Sequence, residues 1–264
     1  MTNNLLSIVI PSRNEVYLTK TIRDLLEKAT GDIEIIAVID GKWPEEIVDD
    51  KRVVYLKHGE SKGMRASIND GVAISHGEYI LKCDAHTMWD KGYDEVLKAD
   101  CEDNWVVVPR RYALDPEKWE IEKRSDNKYP VDYMYLSSEL KGEIWNERRD
   151  DPKHKDVMID ELMSSQGSAW FMMREYYDEL ELLDEATYGK FYKEFQEIGL
   201  KCWLSGGRVV VNKMTWYAHW HKTEGRGYSM DKGEEEKATA AVNKWKMWFE
   251  TDKAWHKQKY SLLW

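Results

Sequence analysis

Asp84 and His86 stand two residues apart, at the end of the apolar run 79–83. On an extended segment, residues i and i+2 point to the same side. One carboxylate and one imidazole can then converge on a single cation. An oxygen and a nitrogen ligand together suit Mn2+, or a similar borderline divalent ion, better than Ca2+. Two ligands alone do not complete a site. What they do depends on the elements that carry them.

Those elements alternate. Residues 5–11, 33–40, 53–56, 78–83 and 105–109 read as strands from their apolar, β-branched composition, and 16–29 and 61–75 carry helical spacing. Strand–helix alternation predicts an α/β fold with a mainly parallel sheet covered on both faces. Asp84 then falls at a strand's C-terminal end, where open α/β sheets place ligands. Residues 112–165 are charged and irregular, with Pro116, Pro130 and Pro152, and read as an excursion rather than a separate core. Residues 167–173 are apolar again, 191–200 helical, and 208–212 strand-like. Gly225 and Gly227 mark a flexible loop, and the pattern from 232 onward is helical and aromatic.

The first strand–helix turn, 12–15, has no glycine. Neither G-x-G-x-x-G nor G-x-x-x-x-G-K-[ST] occurs. A sheet of this type that binds a nucleotide must hold the phosphates by other means. A metal bridging a diphosphate, supplied by Asp84 and His86, meets that need.

The segments 7–15, 35–41, 69–71 and 77–80, ahead of Asp84, resemble the nucleotide half of GT-A glycosyltransferases of the family 2 type. Asp84-Ala85-His86 is similar to the Asp-x-His of polypeptide N-acetylgalactosaminyltransferases. Glu194-Phe195-Gln196-Glu197 precedes the pair Gly206-Gly207, then His219 and Lys222, at separations of 12, 13 and 3 residues that match that branch. The resemblance spans about residues 5–228 and implies a Rossmann-like GT-A domain over 1–228. Within it, 1–110 would be the nucleotide half and 111–228 the acceptor half, with 229–264 an aromatic helical extension packed on it.

The roles implied are specific. Asp84, His86 and His219 would bind Mn2+ or Mg2+, and the metal would hold the diphosphate of a UDP-sugar donor. His221, on the same face as His219, is the rival third ligand. Pro11, Arg13 and Glu15 would line the base and ribose pocket, and Asp40 would lie near the uridine. Lys222 and Arg226 would sit beside the leaving phosphates, and Tyr228 would close over the donor. Glu194 and Glu197 would supply the catalytic carboxylates. Two positions depart from the family pattern. Phe195 stands where inverting enzymes carry the acceptor-deprotonating Asp, and Ile39 replaces the first uracil-side Asp. Retention and inversion both stay open.

Composition bounds the rest. The 264 residues carry a net charge of −10, which argues against a general nucleic-acid coat. Residues 201–264 nevertheless hold 12 Lys+Arg against 7 Asp+Glu. Three cysteines lack metal-ligand spacing and read as buried thiols of a reducing compartment. No apolar run of membrane-spanning length occurs, and the start, Met1-Thr-Asn-Asn-Leu-Leu, does not read as a signal peptide. A cytoplasmic protein without membrane partners is expected, in a host cytoplasm if viral.

The acceptor is sought in the C-terminal end, where Lys244 to Phe249 and Trp255 to Trp264 interleave cations with aromatic rings. Helical packing on the core explains such spacing. An acceptor surface for sugars or nucleobases does so as well. Small unanchored GT-A enzymes of this kind resemble those of tailed phages, some of which glycosylate hydroxymethylated pyrimidines in DNA. The lectin domain and membrane anchor of the polypeptide branch are not seen, which turns the expectation away from a mucin-type acceptor. A modified DNA base, a glycan, a protein and a small molecule therefore compete as acceptor. Two further readings are a nucleotidyltransferase and a non-catalytic carbohydrate-binding protein. The first should carry a second carboxylate at position 86 and a basic glycine-rich signature near the start. The second has no need of Asp84, His86 and His219 together.

Overall fold

The computed structural model describes residues 4–124, 127–222, 228 and 232–251. In chain order the elements are β1 (Leu6–Ser12), α1 (Leu18–Lys28), β2 (Ile33–Ile39), β3 (Val53–Lys57), α2 (Met64–Ile74), β4 (Tyr79–Cys83), β5 (Thr87–Trp89), α3 (Tyr93–Ala99), β6 (Trp105–Asp115) and β7 (Glu120–Ile121). They continue with β8 (Met134–Leu136), β9 (Gly142–Ile144), α4 (Asn146–Asp150), α5 (Pro152–Lys155), β10 (Ile159–Glu161), β11 (Ala169–Met173), α6 (Arg174–Glu179), α7 (Glu185–Tyr188), α8 (Glu194–Leu204), β12 (Arg208–His219) and α9 (Lys232–Thr251).

The main sheet has the order β10-β12-β6-β11-β4-β1-β2-β3, with β5 added to β12 and β7 to β6. β4, β1, β2 and β3 are mutually parallel, as are β6 and β12. β11 runs antiparallel between β4 and β6. The sheet is therefore mixed. β11 returns from the excursion and joins the two parallel blocks.

Strand alternation builds a core on each face. Val9, Ile36, Val38, Ile80, Trp170 and Met172 belong to one buried cluster, roofed by α2 and α8. Ile8, Ile10, Ile35, Ala37, Leu81 and Phe171 belong to the other, roofed by α1 and α3. Such two-sided burial is why these strands are near-continuous apolar runs. Gly71 of α2 lets that helix close on the sheet, since a Cβ there would lie 2.6 Å from Val9 Cγ1. From α9, Ala241, Val242 and Trp245 pack on the first cluster, and Trp245 Nε1 donates to Tyr188 Oη at 3.0 Å.

Several boundaries move from the sequence expectation. α2 starts at Met64 rather than 61, because the Ser61 hydroxyl and the Lys62 and Gly63 amides donate to Asp40 instead. α8 starts at Glu194 rather than 191, after Lys193 in a left-handed conformation. The excursion is not featureless: it holds β7 to β10, α4 and α5, and its Tyr133, Leu136, Leu140, Leu162 and Met163 join the first core cluster. β12 is the largest departure. It runs on to His219 past an irregularity between Asn212 and Trp216, where the expected strand ended at 212.

Candidate active site

Asp84 follows directly on β4, and His86 lies two residues on, in the bend before β5. The extended geometry expected for 84–86 is not what brings them together. The bend does, and it leaves His86 Nε2 3.9 Å from Asp84 Oδ2. The last residue of β12 closes the group, with His219 Nε2 3.2 Å from Asp84 Oδ2. Among the described residues these three form the metal-capable cluster, their ligand atoms all within 4.8 Å of one another.

The donor chemistry fits a divalent cation. One carboxylate oxygen and two imidazole nitrogens suit a borderline metal, and three protein ligands leave positions open for a substrate. Glu15 Oε2 accepts from His86 Nδ1 at 3.2 Å. That bond turns the free Nε2 lone pair toward Asp84, the usual carboxylate–histidine arrangement behind a metal. Burial pushes His219 down to about 4, against the pull of Asp84, so its ring is neutral and able to ligate near pH 7. Burial raises Asp84, but Lys82, His219 and His86 outweigh it and hold the carboxyl well below its ordinary range.

Lys82 was missed by the sequence reading. It is fully buried, and its Nζ donates to Asp84 Oδ1 at 2.8 Å and to the Gly167 carbonyl. Glu194 Oε1 lies 3.4 Å away and also accepts from Trp170 Nε1 at 2.7 Å. Gly167 makes room for that carboxylate: a Cβ there would lie 2.2 Å from Glu194 Oε2. A lysine two residues before Asp84 in an apolar strand was the available signal, because period-two alternation sends both to one side. Burial drives the Glu194 carboxyl up, with Lys82 and Trp170 opposing.

A cavity of about 410 Å3 opens over this group. Pro11, Glu15, Asp84, His86, Glu194, His219, Lys222 and Tyr228 all line it. Lys222 Nζ pairs with Glu15, and Tyr228 stacks on Phe191 with ring centroids 5.6 Å apart. His221 also faces the cavity, its ring 4.6 Å from that of His219, but stands outside the three-ligand group.

Three expected site residues are placed elsewhere. Glu197 is fully buried and paired with Arg65, with Lys201 Nζ at 2.8 Å and with the Asp184 amide at 2.8 Å, so it braces α8 rather than facing the cavity. Asp40 is turned inward onto His58, Ser61, Lys62 and Gly63. Arg13 Nη1 donates to the Asp40 carbonyl at 2.7 Å and does not line the cavity. Arg226 lies outside the described residues.

The glycosyl transferase family 2 profile matches residues 7–181. The chain belongs to that family. An uncharacterized glycosyltransferase of Methanocaldococcus jannaschii is 34% identical over 95 residues, covering 32% of this chain and 33% of that protein. GalNAc-T7, solved with UDP, GalNAc and Mn2+, superposes with a TM-score of 0.74 at 17% identity, over 90% of this chain and 47% of its own. Staphylococcus aureus TarS, residues 1–349, gives 0.53 at 11% identity, over 81% and 60%. This family 2 chain thus spans a third of the curated relative and about half of GalNAc-T7. At these identities the two structures speak for the fold. No described helix is long and apolar enough to cross a membrane.

Proposed function

We propose that this chain transfers a hexose from a UDP-sugar to a hydroxyl acceptor, with Mn2+ or Mg2+ held by Asp84, His86 and His219. The observation that carries the reading is the convergence of those three side chains at the C-terminal ends of β4 and β12 in a family 2 chain. GalNAc-T7, whose fold this chain shares, was solved with the corresponding UDP and Mn2+. When bound, the metal neutralises charge on the donor's diphosphate and eases departure of UDP.

The chain's own residues supply the rest. Glu15 fixes the His86 ring and holds Lys222 within the cavity, where its ammonium serves the leaving phosphates. Pro11 closes the cavity toward the nucleoside, with Arg13 and Asp40 behind it. Tyr228, stacked on Phe191, forms a wall on the donor side. Glu194 is the cavity carboxylate placed to accept from a sugar or acceptor hydroxyl. Glu197 acts through α8 as a positioning residue. Arg226 is a second cation for the phosphates.

The acceptor class is a hydroxyl compound. A hydroxymethylated pyrimidine in DNA is one form of it and a glycan another. The test is direct. The protein is incubated with Mn2+ and a panel of UDP-sugars, and UDP release is followed. Release that stops in Asp84→Ala supports the reading, and no release from any donor would overturn it. Products from DNA containing 5-hydroxymethylcytosine or 5-hydroxymethyluracil, weighed by mass spectrometry, decide the DNA branch.

A further inference from the structure

The outer face of β5 and β12, away from the metal group, carries a second cavity of about 390 Å3. Its lining includes Asp24, Met88, Asp90, Trp119 and Trp216. Trp119 Nε1 donates to Asp24 Oδ1 at 3.2 Å, and the Asp90 amide donates to the Trp216 carbonyl at 3.1 Å. The Trp119 indole therefore has its polar edge tied to a carboxylate, and the rings of Trp119 and Trp216 both stay half-buried. Asp24 itself is buried and accepts also from the Trp89 amide at 2.6 Å.

Ring contacts link this face to the main cavity. Trp220 lines that cavity and meets His86 edge-on at 5.8 Å between centroids. Tyr17 meets Trp220 at 5.2 Å, and Trp119 lies 6.2 Å from Tyr17. A path of rings leads from the metal group to the second cavity.

We propose that this cavity is a subsite for a neutral oligosaccharide whose end enters the main cavity as acceptor. The inference rests on the reading of the main site as a glycosyltransferase. Indole faces stack on the apolar faces of sugars, and a carboxylate, with about four acceptor positions, can take hydroxyl donors beyond the N–H groups it already holds. Such a mixture of rings and a few placed polar groups is what small-ligand sites are made of. Burial raises both Asp24 and Asp90, so these carboxylates are held at a cost that mere ring packing does not require. The same carboxylates decide against a polyanion. A nucleic-acid backbone would meet Asp24, Glu27 and Asp90 against Lys28 and Lys91, with Lys28 already paired with Glu27 at 3.4 Å.

The experiment reads saturation transfer by NMR from protein to cellotriose, maltotriose and tri-N-acetylchitotriose, with a single-stranded DNA oligomer as the contrasting arm. Binding of at least one trisaccharide is expected, weakened about tenfold in Trp119→Ala and less in Trp216→Phe, which keeps a ring but loses the N–H. Donor hydrolysis, followed in parallel, reports the main site. If the protein releases UDP yet binds none of the three sugars, the subsite is overturned while the transferase stands. DNA binding lost in Trp119→Ala would also overturn it. If Trp119→Ala does not fold, magnetisation passed from indole protons to the sugar in the unaltered protein decides: its absence sinks the proposal. No UDP release with any donor is a failure of the transferase reading, recorded separately from the sugar-binding result.

Discussion

Asp40 and Asp84 occupy matching places on the sheet, each one residue past the end of a parallel strand, β2 and β4. Their carboxylates have opposite fates. Asp40 accepts from His58 Nδ1 at 2.7 Å, Ser61 Oγ at 2.7 Å, Lys62 N at 2.7 Å and Gly63 N at 3.1 Å, and its side chain is fully shielded. Asp84 has Lys82 on one oxygen and keeps the other beside two histidines at the cavity. The contrast repeats on α8, where Glu194 lines the cavity and Glu197, one turn on, is spent on Arg65 and Lys201. A strand end or helix start presents the acid. The donors around it decide whether it builds the fold or remains available to a ligand.

The comparison can be broken most sharply at Asp84. Asp84→Asn keeps shape but removes the anionic metal ligand. UDP release is expected to fall about 10^4-fold, roughly 5 kcal/mol of transition-state stabilisation, with little change in Tm. EDTA should abolish release in the unaltered protein, and added Mn2+ should restore it. Glu197→Ala should do the reverse. It leaves Arg65 buried without its partner, and a loss of about 3–5 kcal/mol in urea unfolding is expected. A near-normal unfolding midpoint would remove the division drawn between Glu194 and Glu197.

Asp40→Asn should cost about 2 kcal/mol at pH 7, since an amide nitrogen then faces N–H donors. Its pH dependence carries a sign. Burial pushes Asp40 up, but His58, Lys62, Ser61 and Gly63 outweigh it and hold the folded carboxyl below 3.8. The unfolded chain therefore takes the proton first. This stabilisation is in place above pH 3.8 and drains as pH falls through the folded value. Melting curves between pH 7 and pH 3 should thus converge for the two proteins. Glu15→Gln is the smallest change. It weakens the anchor on His86, and Mn2+ affinity by titration calorimetry should drop about 10- to 100-fold with the fold intact.

Much of this was legible in the chain. The apolar strand runs were, because two-sided burial leaves an unmistakable pattern; Asp84 at the end of 79–83 and the distant His219 were singled out by motif spacing, and they lie 3.2 Å apart. Glu15 and Lys82 were harder. Glu15 acts through contacts between segments, with His86 and Lys222, and Lys82, although only two residues from Asp84, also reaches Gly167 and Glu194, partners that show only once the strands are ordered. Asp40 and Glu197 illustrate the converse. Their motifs were visible, but His58 and Arg65, which occupy them, come from parts of the chain that no spacing rule connects. For the acceptor, the side chains of Trp248 and Phe249 and residues 252–264 lie outside the described part.

The irregularity in β12 resets the phase of the strand. Before it, Val209 and Val211 face one core and Val210 the other; after it, Tyr217 has joined the side of Val210 although its number is odd. Residues 213–215 are spent between Asn212 and Trp216 while the partner strand advances only from Pro109 to Arg110. That odd insertion works as a switch in the reading frame of the strand. It sends Tyr217 inward while Trp216 and Ala218 join the outer aromatic layer. Deleting a single residue among the three would exchange the two sets, handing an indole the place of the third metal ligand.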